Sequence, residues 1–205
     1  MVVKYRGGTR LEVNVRTRGG HASNPDLGSN SILIAMNVYR DLWNTLMAGT
    51  SYENFLVTPT IMNCGEAENV IPSNCRLILD VRIPPGKSCK DVEAAINELR
   101  GKYGGLITIS MRWCTEPVEV SINNTSARAV SRAIIKVLGK GPIPARKWGT
   151  SDMNDLALLT KNMVAYGPGD GAYSHSFEEY IFVDDYLRAI DIYKQAIVEF
   201  MNIYK

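Results

Sequence analysis

The chain has two histidines, and each stands in a glycine-rich stretch rather than on an apolar face. The first lies in Arg18-Gly19-Gly20-His21-Ala22-Ser23-Asn24-Pro25. Paired glycines permit backbone turns that present an imidazole outward where a strand gives way to a helix. An imidazole so placed is either a hydrogen-bonding or proton-transferring group or a solvated turn residue. The second lies in Tyr166-Gly167-Pro168-Gly169-Asp170-Gly171-Ala172-Tyr173-Ser174-His175, followed by Ser176-Phe177-Glu178-Glu179. A loop at the carboxyl end of a strand in an α/β sheet is where ligands commonly bind. His175 and Glu179, four apart, suit a metal-bound imidazole and the carboxylate that receives its other N–H. The competing reading is an ordinary loop before a helix whose N-terminus Glu178 and Glu179 complement. The glycines spell neither GxGxxG nor a Walker loop, which excludes a nucleotide cradle.

These loops need elements to hold them. Residues 9–17 alternate, with Leu11, Val13 and Val15 on one face and Arg10, Glu12, Asn14 and Arg16 on the other, so they read as a half-buried strand. Ile32, Ala35, Met36, Tyr39, Trp43 and Leu46 then recur at helical spacing, with Ser29 or Ser31 as N-cap and an end near Gly49. Strands are expected at 54–62 and 74–83; the second places Cys75, Leu77, Leu79, Val81 and Ile83 opposite Arg76, Asp80 and Arg82. A helix at 88–100 and a strand at 106–113 complete the order β-α-β-β-α-β, the ferredoxin-like arrangement of two helices on one face of a four-stranded sheet. The fold class is thus α/β, with an α+β ferredoxin-like domain at 9–115, a connecting segment at 1–8, and the remainder, 116–205, reading as a piece of α/β sheet. That remainder holds helices at 125–138 and 152–160, strands near Ala145 and at 163–166, and a final helix with the stripe Tyr186, Ile190, Tyr193, Ile197 and Met201. Two short strands leave open edges and too little partner surface, so something upstream is expected to be missing.

Composition narrows the function classes. The 205 residues are 45% hydrophobic and 21% charged, the pattern of an ordinary globular protein. Basic side chains exceed acidic ones by 23 against 21, net +2, so no global field recruits nucleic acid or an anionic membrane. Nothing approaches the roughly 20 apolar residues of a bilayer span, and no signal-peptide core is visible at the N-terminus. Cys64, Cys75, Cys89 and Cys114 contain no CxxC pair; they read as reduced, mostly buried thiols and favour a cytoplasmic protein, with two disulfides as the alternative that the sequence leaves open.

Four segments together resemble the acetylornithine deacetylase and succinyl-diaminopimelate desuccinylase family of two-metal aminoacylases and carboxypeptidases. They are Gly20-His21-Ala22-Ser23; Asn69-Val70-Ile71-Pro72 with Asp80-Val81-Arg82; Gly149-Thr150-Ser151-Asp152; and the Gly167-Pro168-Gly169 loop leading to His175 and Glu179. Lys147-Trp148-Gly149-Thr150-Ser151-Asp152-Met153-Asn154 and Tyr166-Gly167-Pro168-Gly169-Asp170 narrow the likeness to archaeal enzymes that release lysine or ornithine from an amino-group carrier protein. The resemblance implies a ferredoxin-like lid that forms a homodimer, and zinc or cobalt as a two-metal cofactor. It implies that His21 is catalytic, reaching the partner subunit's site to stabilise an oxyanion. It also implies that Asn69 and Arg82 hold a substrate carboxylate, that Thr150 and Ser151 line the substrate, that His175 is a metal ligand and that Glu179 backs it. Read without the family, Asn69 is a turn residue, Arg82 a solvated strand charge and Ser151 a helix cap. The family commonly places Asp before and Thr-Pro after the metal-binding histidine, where this chain has Ser174 and Ser176-Phe177.

The family's chemistry also needs an H-x-D motif, a bridging aspartate and the acidic pair of a Gly-Glu-Glu segment supplying the general base, and none of these is present. The resemblance therefore covers the downstream part of such an enzyme. The expectation is a metal-dependent amide hydrolase or deacetylase of lysine and arginine biosynthesis, here a truncated product inactive alone. The alternative is a non-enzymatic dimerisation or binding module. A third reading is a docking domain for an acidic carrier, motivated by Arg10, Arg16 and Arg18 on or beside one strand face.

Overall fold

A computed structural model describes residues 1–24, 30–169, 171–173 and 176–204. In chain order the elements are β1 (Val2–Tyr5), β2 (Gly7–Arg16), β3 (Gly20–His21), α1 (Ser31–Thr45), β4 (Leu56–Cys64), β5 (Val70–Ile71) and β6 (Asn74–Ile83). There follow α2 (Cys89–Tyr103), β7 (Ile107–Thr115), β8 (Val118–Glu119), α3 (Thr125–Leu138), β9 (Ala145–Lys147), α4 (Asp152–Leu156) and α5 (Val183–Tyr204). They form two compact units. One is Arg6–Pro117 with Trp148–Thr150; the other joins Met1–Tyr5, Val118–Lys147 and Ser151–Lys205.

In the first unit, β4-β6-β2-β7 make a sheet whose neighbours are all antiparallel. This is the expected βαββαβ order. Period-two alternation places Leu11, Val13 and Val15 of β2 and Leu77, Leu79 and Val81 of β6 on the covered face. They pack against Ala35, Val38 and Leu42 of α1 and Val92, Ala95, Ile96 and Leu99 of α2. The buried stripe of α1 is rotated from the one expected, leaving Met36 exposed. Its cap is Asn30, whose side-chain oxygen accepts from the Ile32 and Leu33 amides; Ser31 is the first helical residue, and Ser29 lies outside the described residues.

The cysteines require a correction, because the structure pairs all four. Cys64 joins Cys75 and Cys89 joins Cys114, so none is a free thiol. Spacing along the chain concealed this, since topology makes both pairs. The β4–β6 register sets Cys64 opposite Cys75, and the other bridge links the start of α2 to β7. The thiol argument for a cytoplasmic setting falls with that correction.

In the second unit, β1 is the middle strand of the order β8-β1-β9, antiparallel to β8 and parallel to β9. The segment expected merely to connect thus supplies a central strand, too short to declare itself without its distant partners. The expected strand at 163–166 reduces to one bridge between Val2 and Ala165, and the expected helix at 152–160 to α4 followed by turns. Helices α3 and α5 meet through Ala133, Ile134 and Ile192. Buried Glu199 of α5 is ion-paired with Lys136 and Arg132 of α3, and Lys136 chiefly holds its carboxyl below the usual range. The apolar stripe of α5 faces outward: Tyr186, Ile190, Tyr193, Ile197 and Met201 are exposed, while Ala189 and Ile192 are buried. Periodicity shows that a helix has an apolar face, not that the same chain covers it. Among the described residues no helix is long and apolar enough to cross a membrane.

Two predictions follow from the sheet. On its uncovered face Glu12 lies 2.6 Å from Arg76 and also pairs with Arg112, and hydrogen bonds from these guanidinium groups lower its pKa from 4.5 to about 2. A depressed carboxyl pKa contributes stability that is complete above the unfolded value and lost as pH falls through the folded one. Glu12→Gln should therefore flatten the loss of thermal midpoint between pH 4.5 and about 2, and an unchanged acid limb would dismiss the triad. At the sheet's entry, a Cβ on Gly7 would overlap the Thr115 carbonyl oxygen and stand 2.6 Å from the Pro117 nitrogen, both backbone. Gly7→Ala should cost about 1–3 kcal/mol in denaturant unfolding, the usual range for forced overpacking.

Candidate functional site

His21 is held by a miniature sheet. Gly20 and His21 of β3 pair with Ile71 and Val70 of β5, and the Ala22 amide donates to the Asn69 carbonyl at 2.9 Å. Gly19 makes the turn into this pair at φ +66°, and a Cβ there would come 2.9 Å from the Ile71 carbonyl oxygen. Glycine is thus demanded twice over. Both His21 and Asn69 are exposed. The Ser23 amide donates to His21 Nδ1 at 3.2 Å, and the Ser23 hydroxyl lies 2.7 Å from the same nitrogen. An Nδ1 that accepts from an amide assigns the neutral imidazole's proton to Nε2, which makes Nε2–H the donor.

Arg82 sits elsewhere. It is opposite Gly8 near one end of β6, whereas Asn74, where the strand leaves the Asn69 loop, is opposite Arg16 at the other. Eight residues of strand span roughly 26 Å at about 3.3 Å each. Arg82 grips Asp80 on its own strand through Nε at 2.6 Å and one Nη at 3.2 Å. A single chain therefore brings His21 and Asn69 together and leaves Arg82 apart.

Thr150 and Ser151 fall on opposite sides of the unit boundary. Thr150 is exposed. Ser151 caps α4: its hydroxyl accepts from the Met153 amide at 3.2 Å, and the Asn154 side chain accepts from the Ser151 amide at 2.8 Å. Sequence reasoning missed Arg6, which is fully buried, donates to the Asn54 carbonyl and lies 5.2 Å from the Trp148 ring and 5.6 Å from that of Tyr52. Burial lowers its pKa from the usual value. The sole sequence signal was a charged residue between two strand-like runs, Val2-Val3-Lys4-Tyr5 and the segment after Gly8.

In the second unit a cleft of about 570 Å³ is walled by Tyr166, Gly167, Pro168 and Gly169, with Lys147 and Glu179 at its lining. That volume suits a small ligand. Tyr173, Tyr180 and Phe182 make an aromatic run beside it, with centroids 5.4 and 5.2 Å apart. Glu178 and Glu179 stop short of α5, whose first turn carries Asp184 and Asp185 instead. His175 lies outside the described residues. Among the described residues no group of three or more His, Cys, Asp or Glu is placed to hold a metal ion. These residues do not by themselves fit a two-metal centre.

Comparison with known proteins adds the following. Residues 3–105 match the model of the M20 peptidase dimerisation domain. A Pyrobaculum aerophilum protein named for hydrolysis of LysW-lysine and LysW-ornithine is 45% identical over 95% of this chain and 54% of its own length. The LysW-lysine/LysW-ornithine hydrolase of Sulfurisphaera tokodaii is 34% identical over 97% of this chain and 55% of its own. The chain thus spans about half the length of the curated relatives it matches. Among solved structures, an M20 family metallo-carboxypeptidase from Sulfolobus solfataricus covers 97% of this chain and 59% of its own, with TM-score 0.78 and 18% identity. The aminopeptidase PepT of Bacillus cereus covers 98% of this chain and 53% of its own, with TM-score 0.77 and 17% identity. At such identities these neighbours establish the fold alone. With the dimerisation domain matched across half of its residues and hydrolases aligned along nearly all of them, this chain belongs to the M20 peptidase family.

Proposed function

We propose that this chain is the lid and C-terminal portion of a metal-dependent amide hydrolase that releases lysine or ornithine from an N-acyl or carrier-linked precursor. The chain would act as a homodimer through the lid and be inactive alone. What carries the fragment reading is the uncovered apolar surface of the second unit, where Leu158 and Leu159 are 82% and 85% exposed and Phe182, Tyr186, Ile197 and Met201 are also open. Tyr193, Ile197 and Met201 line one apolar groove, and open surface of this kind marks a missing partner. An upstream half presenting a complementary apolar face would cover it and would bring the other ligands for zinc or cobalt beside His175 and Glu179.

The separation of His21 from Arg82 fits a dimer. Residues at opposite ends of one sheet converge when a two-fold axis brings one copy's end to the other copy's site. His21, with its proton on Nε2, would donate to the oxyanion of the tetrahedral intermediate, while Asn69 beside it would share the substrate carboxylate with Arg82. Asp80 holds Arg82 by Nε and one Nη, and the other Nη would bind a substrate carboxylate. Thr150 and Ser151 would line the amino-acid side. Exposed Arg16 and Arg18, with Arg10 at 3.8 Å from Asp80, offer charge to an acidic amino-group carrier.

The test is reassembly. The chain alone should not turn over N-acyl-lysine or N-acyl-ornithine with added zinc or cobalt, while mixing it with the upstream half of a relative should give metal-dependent turnover. Robust metal-dependent turnover by the chain alone would overturn the fragment reading. Failure of the halves to associate would favour a non-enzymatic dimerisation module. In the reassembled enzyme His21→Ala should lower kcat about 10²–10³-fold, the usual loss for one oxyanion donor, with little change in KM. In ¹⁵N NMR the neutral His21 ring should be the Nε2–H tautomer, and a dominant Nδ1–H tautomer would refute the assignment.

A further inference from the structure

We propose that the Cys64–Cys75 disulfide is the positioning element of His21 and Asn69. The two cysteines are 11 residues apart and close the loop that carries Asn69, Val70 and Ile71. Every backbone tie described between that loop and the His21 segment originates inside the closed ring. Val70 and Ile71 pair with His21 and Gly20, and the Asn69 carbonyl accepts from Ala22. The Ser73 carbonyl accepts from the Thr17 amide at 2.8 Å, and the Pro72 carbonyl from the Ser31 amide at 3.1 Å. The ring thus grips the histidine's segment both before and after it.

Burial cannot do this work. Residues 65–70 are exposed, and Ile71 is the loop's one buried side chain. A two-stranded ribbon with so little apolar cover is marginal in water. Covalent closure of a short ring removes the open conformations such a loop would otherwise sample. The second disulfide provides an internal control, because Cys114 is opposite Thr9, towards the Arg82 end of the sheet, whereas Cys75 is opposite Val15. It staples the same domain without touching the His21 hairpin. The catalytic meaning of this positioning rests on the reading of His21 and Asn69 as site residues, but the positioning itself does not.

The experiment is native-state hydrogen exchange on the full chain, comparing the parent with Cys64→Ala/Cys75→Ala and with Cys89→Ala/Cys114→Ala. In the first variant, amides of 20–22 and 70–71 should exchange at least tenfold faster while those of β2 and β6 stay within twofold; the second variant should leave the hairpin within twofold of the parent. A purely structural staple would lower the thermal midpoint without this local change, and that result would overturn the proposal. So would equal loosening by both variants, or free thiols at Cys64 and Cys75 in protein alkylated at harvest and denatured without reductant. Should the double alanine variant fail to fold, Cys64→Ala alone breaks the ring and keeps Cys75 as a buried thiol, with the same expectation. If reassembly yields no enzyme, the proposed activity fails while the exchange result still decides this inference.

Discussion

The register of β2 on β6 is the constraint on which the lid depends. Ten opposed pairs run from Gly7 against Ile83 to Arg16 against Asn74. Because side chains alternate across a strand, a slip of one residue would turn Leu11, Val13, Val15, Leu77, Leu79 and Val81 towards water and carry Glu12 and Arg76 into the core. The same register sets the placement of chemistry. It puts the exit towards Gly19 and the return from Asn69 at one end of the sheet, and Gly8 with Arg82 at the other. The distance between the two halves of the candidate site is thus a property of strand length, not of loop conformation.

Much of this was legible in the sequence. Alternation in β2 and, broken only at Ile78, in β6, together with helical spacing in α1 and α2, led directly to the ferredoxin-like order, because each element buries one face within the lid itself. Elements whose partners are distant were not legible. Val2-Val3-Lys4-Tyr5 is four residues with no strong pattern, and it becomes a strand only against Val118–Glu119 and Ala145–Lys147. The β3–β5 pair has two residues a side, too few for any period, so the meeting of His21 with Asn69 was not legible, and the family resemblance grouped Asn69 with Arg82 instead. The disulfides escaped for a related reason: Cys64 and Cys75 meet through strand register, and no sequence spacing encodes that. The α5 stripe was read as an apolar face, but a sequence does not say who covers it.

Arg6 shows how a buried charge can mark a boundary. Its guanidinium has left water, and the Asn54 carbonyl and the rings of Tyr52 and Trp148 stand in for the lost hydration. Stacking of this kind suits the weakly hydrated, planar guanidinium better than it would an ammonium. By holding Trp148, Arg6 draws Trp148–Thr150 into the lid unit, and Ser151 then begins the other unit by capping α4. The division between Thr150 and Ser151 follows from these two local interactions.

Tyr5 lies opposite Val118 across β1 and β8, so residues 6–117 leave the second unit and rejoin it at a single pair. This arrangement orders assembly in time. In this chain β1 precedes both of its strand partners, so during synthesis its pairing waits until 118–119 and 145–147 have been made. Meanwhile the lid's own ladder can close, since its four strands all lie within the excursion. Once closed, it holds Gly7 against the backbone of Thr115 to Pro117, so the ends of the excursion meet without the entropy of a long loop opposing them. The lid is in that sense the template for the unit that encloses it in sequence, because its closure brings β1 and β8 at the two ends of the excursion within reach of each other.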